Sequence, residues 1–287
     1  MDVLSDAVSA MRVGHPSMTL IAAEPSWAAD YETFQGAHFY VVTTGRLRVS
    51  GPRESVTILR TGDAALFPHG NAHSIANDSA EVTHMLYGTY RMDRARPHPL
   101  FQDLPDLVHL PMNADRHPGL QASIDLARSE FDGNMYGKDL ALPALLDVIL
   151  IHLIRACLAE RAGTQVTGWC VALADEVIGR SLRAVHESPA HPWTVESLAM
   201  RAGLSRAAFA RRFTAAVGQP PLTYLTWWRL TTAARLLKTT DVPLSAVAQR
   251  SGYGSPYAFA VAFKREYGIS AGRYRQQRRA DLEQNRR

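Results

Sequence analysis

Two groups of side chains in this sequence have types and spacings that could do chemistry. The first is cationic. Arg206, Arg211 and Arg212 stand close together, and Lys264 and Arg265 follow later in the chain. Guanidinium and ammonium groups on an exposed helix face bind phosphate oxygens, and arginine can also pair with guanine through two parallel N–H donors. The second group is imidazole. His38 and His73 lie in short β-rich runs, and Tyr40 and Phe67 are in the same runs or in one nearby. Histidines on strands line pockets as hydrogen-bonding groups, or hold a metal when further ligands join them. No catalytic constellation accompanies either group: the β-rich segment has no nucleophile elbow and no Gly-rich phosphate loop.

The elements that must position the cations are written twice. One copy reads Leu198-Ala199-Met200-Arg201-Ala202-Gly203-Leu204-Ser205, then Phe209, Phe213 and Gly218. The other reads Val247-Ala248-Gln249-Arg250-Ser251-Gly252-Tyr253-Gly254-Ser255, then Phe259, Phe263 and Gly268. The offset is 49 residues up to the turn glycine and 50 after it, so the second copy has one extra residue in its turn. A repeat of this period is one supersecondary unit used twice. Each copy has the grammar of a helix-turn-helix: a glycine suited to positive φ, a serine cap, and two phenylalanines four apart on the buried face. In the second copy Pro256 follows Ser255 at the first helical position. The opposite face of each second helix is then presented outward, as a helix entering a DNA major groove must be.

The stretch from Asp175 to Arg275 resembles the AraC/XylS family of transcription regulators. The resemblance rests on Pro192-Trp193-Thr194-Val195-Glu196-Ser197-Leu198-Ala199, on Ala262-Phe263-Lys264-Arg265-Glu266-Tyr267-Gly268, and on Ile269-Ser270-Ala271-Gly272-Arg273-Tyr274-Arg275, where Ala271 replaces a usual proline. It implies that Ala207, Ala210 and Arg211 face bases on the first recognition helix, and Tyr257, Ala260 and Val261 on the second. Ser205, Arg206, Arg212, Ser255, Lys264 and Arg265 complete the expected DNA-contacting set. The implied partners are double-stranded promoter DNA, RNA polymerase and a small-molecule effector, with activation the commoner behaviour. Between the two copies, Pro220 to Thr239 reads as a linker helix. At 1.5 Å per residue it spans roughly 30 Å, close to the distance between successive major-groove faces. Trp227 and Trp228 on it are expected in packing, not in base stacking.

Charge supports a polyanion partner for one half of the chain. Residues 166–287 hold 18 Lys+Arg against 8 Asp+Glu, a balance of +10, whereas residues 1–165 hold 13 against 19, a balance of −6. The two cysteines, Cys157 and Cys170, form no CxxC pattern and fit a reducing cytoplasm. Asp2, Asp6 and the lack of a long apolar run give no signal peptide. The most apolar stretch, Leu140 to Leu158, carries Pro143, Asp147, His152 and Arg155, and reads as a buried or interface helix, not a membrane span.

Read from its start, the chain opens with Val3, Leu4, Ala7, Val8 and Met11 at helical spacing. Seven short runs follow, Met18–Ala23, His38–Thr43, Leu47–Val49, Val56–Leu59, Ala64–Phe67, His73–Ile75 and Val82–Tyr90, with turns at Gly45, Gly51-Pro52, Gly62-Asp63 and Asn77-Asp78. They predict a small antiparallel barrel or jelly roll. Gly62, Pro68-His69-Gly70, His73 and Asn77 have a spacing that resembles the second motif of the cupin family. The first cupin motif is broken: its glutamate position holds His38, and its paired-histidine region holds Tyr31, Glu32, Thr33 and Phe34. The expected ligand-lining set is therefore His38, Tyr40, Phe67 and His73. Zinc on His38 and His73, with Glu32, is the weaker alternative, since structural zinc needs four ligands. His69, in its turn, is expected to be exposed.

The proline-rich residues 91–119 read as a connection around the barrel. Two helices follow, the first through Leu120, Ile124, Leu126, Ala127 and Phe131, the second from about Leu140 to Arg161. The latter is apolar on more than one face, which predicts a homodimer through it, with Leu146 or Leu153 toward the partner. Gly163 to Gly168 is the linker, and a helix from Trp169 to Glu187 opens the second half. The fold expected is α+β and multidomain: a cupin-like barrel with helices over 1–165, then an all-α double helix-turn-helix domain over 169–280. The function expected is DNA-binding transcription regulation in the cytoplasm, without enzyme activity. Two other readings are weighed: a metal-dependent cupin enzyme fused to a DNA-binding domain, and a DNA-repair methyl acceptor. The second needs a nucleophilic cysteine in a metal site, and neither cysteine has metal-ligand company.

Overall fold

The computed structural model describes residues 2–12, 16–51, 56–92, 97–111, 116–133, 136–162 and 168–284. The chain forms two compact units: Met11–Thr164, and Gln165–Arg287 together with Met1–Ala10. The opening helix, α1 (Val3–Met11), thus belongs almost entirely with the C-terminal half. The expected linker at 163–167 and Pro52 of the Gly51-Pro52 turn lie outside the described residues.

The first unit is built on β1 (Ser17–Ala23), β2 (Ala28–Tyr31), β3 (Gly36–Thr44), β4 (Arg46–Ser50), β5 (Val56–Arg60), β6 (Ala64–Phe67), β7 (His73–Asn77), β8 (Thr83–Arg91) and β9 (Val108–Leu110). One sheet runs β1-β8-β3-β6-β9 and the other β2-β7-β4-β5, with every pairing antiparallel. Alternation builds the core between them. Tyr40, Val42, Ala65, Phe67 and Met85 meet Leu47, Val49, Leu59 and Ile75 from the opposite sheet. The intervening residues Phe39, Val41, Leu66 and Leu86 are buried as well, so the five-stranded sheet is covered on both faces. In the four-stranded sheet β4 and β5 alternate buried and exposed, which leaves that sheet one wet face.

β2 and β9 lie outside the runs expected from sequence. A short helix, α2 (Pro99–Gln102), and two longer ones, α3 (Pro118–Asp132) and α4 (Lys138–Ala162), complete the unit. α4 packs on α3, β1 and β9. It is long and apolar enough to cross a membrane by composition, but Asp147 within it is used inside the unit. Asp147 accepts from Arg12 Nη1 at 2.7 Å and from the Tyr90 hydroxyl. Leu146 and Leu153, expected toward a partner, are fully buried. The outward apolar stripe of α4 is Leu140, Ala144 and Val148, four residues apart, whereas Leu146, Ile149, Leu150 and Leu153 are buried.

The second unit corrects one helix. The segment expected to run unbroken from Trp169 to Glu187 is α5 (Trp169–Ala174) and α6 (Glu176–Glu187). Asp175 leaves helical geometry, and its Oδ1 accepts from the N–H groups of Val177 and Ile178, capping α6. Next come α7 (Val195–Ala202), α8 (Arg206–Val217), α9 (Pro221–Thr239), α10 (Leu244–Arg250), α11 (Pro256–Tyr267) and α12 (Ala271–Gln284). Thr194 and Ser197 form a reciprocal capping box at the start of α7. Gly203 ends α7 at φ +69°, and Gly252 sits in the second turn at φ +76°, a region that penalises any side chain. Phe209, Phe213, Phe259 and Phe263 are buried as their spacing requires. α9 supplies both halves: Tyr224 and Trp228 at one end, and Leu230, Ala233 and Leu237 in the cluster around Phe259 and Phe263. Trp227 and Trp228 are buried, and Trp228 stacks on His186 at 3.9 Å.

Candidate nucleic-acid interface and barrel interior

The burial of Phe209 and Phe213 decides what α8 presents. With 100° per residue, Ala207, Ala210 and Arg211 form one stripe on the far side. Ala207 and Arg211 are exposed and Ala210 is half-buried. The equivalent stripe on α11 is Tyr257, Ala260 and Val261; Tyr257 is 80% exposed and Val261 50%. Lys264 and Arg265 continue the α11 face, both exposed.

Several members of the expected set have structural work. The hydroxyls of Ser205 and Ser255 accept from the N–H groups of Ala208 and Ala258, at 3.3 and 3.1 Å, and cap the two recognition helices. Arg212 Nε donates to Asp175 Oδ2 at 2.8 Å, so it ties α8 to the cap of α6. Arg206 stands 4.0 Å from Glu196 with both side chains about 70% exposed, a pair of little energetic weight. Arg211 is the cation on the α8 stripe, exposed midway along the helix.

Inside the barrel, His38, Tyr40, Phe67 and His73 come together as expected, and Tyr31 and Tyr87, unforeseen from sequence, join them. Strand register does this: Tyr31 pairs with His73, His38 with Phe67, and Tyr40 with Tyr87. The His73 ring lies 3.9 Å from Phe67 and 5.1 Å from Tyr31, stacked on both. Its Nδ1 stands 2.8 Å from the carbonyl of Asn71, which can only accept, so Nδ1 carries the proton. Burial holds the His73 pKa below its ordinary value, so the ring is neutral and Nε2 accepts from the Tyr40 hydroxyl at 2.7 Å. His38 Nδ1 is 2.9 Å from the Tyr87 hydroxyl. Burial raises all three phenols, pushing Tyr87 up to about 12 and Tyr40 far higher, the latter reinforced by its tyrosine neighbours. The three phenols and the His73 ring are thus uncharged in the interior.

That donor set does not suit zinc. Both His73 nitrogens are engaged, Glu32 is exposed, and no group of three His, Cys, Asp or Glu converges among the described residues. His69, expected to be exposed, is half-buried: its Nε2 lies 2.9 Å from the Leu104 carbonyl, which fixes the turn containing Gly70. Gly70 has φ +53° and packs against the carbonyl of Phe34, where no side chain fits. Cys157 and Cys170 are both buried.

A barrel with a polar, aromatic interior joined to two capped helix-turn-helix units defines a two-domain DNA-binding regulator. The cupin family matches residues 2–159 and a helix-turn-helix domain family matches residues 198–277. An AraC-like transcription regulator of Streptomyces antibioticus is 33% identical over 96% of this chain and 98% of its own. The HTH-type transcriptional regulator AlkR of Acinetobacter baylyi is 27% identical over 96% of this chain and 100% of its own. Among solved structures, the DNA-binding domain of AdpA in complex with a target DNA is 39% identical, covering 35% of this chain and 91% of that one, with a TM-score of 0.34. The chain belongs to the AraC-like family of transcription regulators, with a cupin-like N-terminal domain. The relatives are named as regulators, and the fused-enzyme and methyl-acceptor readings find no support among them.

Proposed function

We propose that this protein is an effector-controlled activator that reads one operator with two unequal recognition helices. The observation that carries the reading is the pair of equivalent stripes: Ala207, Ala210 and Arg211 on α8 against Tyr257, Ala260 and Val261 on α11. Arg211 has the donors for a bidentate contact to guanine, whereas Val261 offers only a methyl surface for thymine. Lys264 and Arg265, in the last turn of α11, reach phosphates in preference to bases. α8 therefore sets sequence choice, and α11 adds affinity and register.

The effector enters the barrel beside Tyr31 and Tyr87, the half-exposed members of the network. Neutral phenols and a neutral His73 ring suit a small molecule with hydrogen-bonding groups. The protein works in the cytoplasm as a homodimer through the outward stripe of α4, and contacts RNA polymerase at the promoter. The test is selection of bound duplexes from random DNA, followed by a base-by-base scan of the selected operator. Equal penalties under the two recognition helices would overturn the asymmetry, and failure to enrich any sequence would overturn the operator reading.

A further inference from the structure

Arg229 lies midway along α9, between the two helix-turn-helix units. Its Nε donates to the Pro189 carbonyl at 2.7 Å and its Nη2 to the His191 carbonyl at 2.8 Å. Those carbonyls belong to the loop between α6 and α7, which enters the first helix-turn-helix. The loop is itself braced: His191 N–H donates to Ser188 O at 3.1 Å, Trp193 N–H to His191 O at 2.7 Å, and Trp193 Nε1 to Ser188 O at 2.9 Å.

The turn of the second helix-turn-helix rests on the same place. A Cβ added to Gly252 would lie 2.8 Å from Ala190 Cα, 2.8 Å from Arg229 Nε and 2.9 Å from Pro189 O. Real Cβ atoms do not approach that closely, so the turn sits flush against the loop. Each unit otherwise packs on its own end of α9. One guanidinium thus touches the linker helix, the entry to one unit and the turn of the other.

We propose that Arg229 is a positioning residue that fixes the distance and helical phase between α8 and α11, so that the protein tolerates only one spacing between the operator segments under them. A helix alone does not do this, because long helices bend gently and the ends of α9 would swing. Two charge-assisted hydrogen bonds into a braced loop, with a glycine turn pressed on it, remove that freedom. Inserting one base pair turns the second segment by about 34–36° and moves it about 3.4 Å, since B-DNA has 10–10.5 base pairs per turn. A clamped domain cannot follow such a change. The proposal rests on the reading of two recognition helices on one operator.

The test uses the full-length protein and the duplex selected by the wild type, with the spacing between its two segments changed by one base pair either way. Wild type is expected to lose roughly tenfold or more in affinity, the scale of about 1.4 kcal/mol. Arg229→Met keeps the stem and removes the donors. It should cut that penalty to about threefold or less, while binding a duplex that retains only the α8 segment within about twofold of wild type, since no α8 contact changes. Arg229→Lys should fall between the two. Gly252→Ala keeps the Arg229 side chain but crowds its Nε and the Pro189–Ala190 backbone, so it displaces the turn and carries the same expectation, and thermal unfolding checks the fold of each variant. If folded Arg229→Met and Gly252→Ala keep the wild-type spacing penalty, the clamp is refuted alone. If the wild type ignores spacing, the two-helix reading falls, and the clamp with it.

Discussion

Arg211→Ala separates base reading from backbone binding at a single side chain. Arg211 is exposed in the middle of α8, and alanine is the better helix former, so the change should leave stability within about 0.5 kcal/mol. A bidentate arginine–guanine contact carries about 1–3 kcal/mol of discrimination. At about 1.4 kcal/mol per tenfold, that is roughly a 5- to 150-fold loss, confined to one base pair of the operator. The assay is fluorescence anisotropy on a complete set of single-base operator variants, wild type beside mutant. Wild type should show a deep penalty at one G·C pair under α8, and Arg211→Ala should flatten that position and leave the others unchanged. Lys264→Ala should instead weaken every duplex by one factor, and lower the slope of log affinity against log salt by about 0.9, one phosphate contact. Val261→Ala should change little, since the alanine methyl can still touch a thymine methyl. If Arg211→Ala lowers affinity for all duplexes by the same factor, Arg211 is a phosphate contact and the reasoning fails.

Three further outcomes follow from the geometry. The +10 balance of residues 166–287 predicts affinity that falls steeply with salt, and a flat response between low and moderate salt would contradict an electrostatic footprint. In the full chain, Val148→Asp should convert a dimer to a monomer in sedimentation while keeping its melting transition. Leu146→Asp, which buries a carboxylate, should lose the transition itself. The His73 pKa is lowered in the folded state by burial, outweighing the Asn71 carbonyl that favours its proton. The unfolded chain therefore binds the proton first, and the barrel should lose stability as pH falls below about 6.5, the ordinary histidine value. His73→Gln should reduce that slope in denaturant titrations between pH 7 and 5.

The double helix-turn-helix was legible because every signal in it is local. Glycine turn, serine cap and the four-residue phenylalanine spacing all act within a dozen residues, and the repeat supplies each twice. The barrel was legible as a class but not in full. β2 reads Ala-Ala-Asp-Tyr with no strong alternation, and it exists because its backbone pairs with β7. Tyr31 and Tyr87 reach the interior through cross-strand register, a long-range property that one sequence does not display. β9 spans three residues inside a proline-rich stretch, too short for a period. The break at Asp175 had a local signal, an aspartate two residues ahead of Val177 with its side chain free to cap a helix, and the apolar run around it concealed the boundary. In α4 the excess of apolar residues was visible, but which of them face outward depends on α3 and the sheet.

The place of α1 bears on how the molecule can be cut. The backbone passes between the two units twice, near residue 10 and near residue 165, so the C-terminal half is not a continuous piece of sequence. Asp6 Oδ2 lies 3.1 Å from His186 Nδ1, and His186 Nε2 lies 2.6 Å from the Tyr224 hydroxyl, with all three groups buried. A gene fragment starting at residue 165 would express the C-terminal unit with the buried His186 on α6 deprived of its carboxylate. Joining residues 1–10 to residue 165 through a flexible insert would return it. The boundary that serves for cloning this protein is therefore not the boundary that a linear domain diagram would draw.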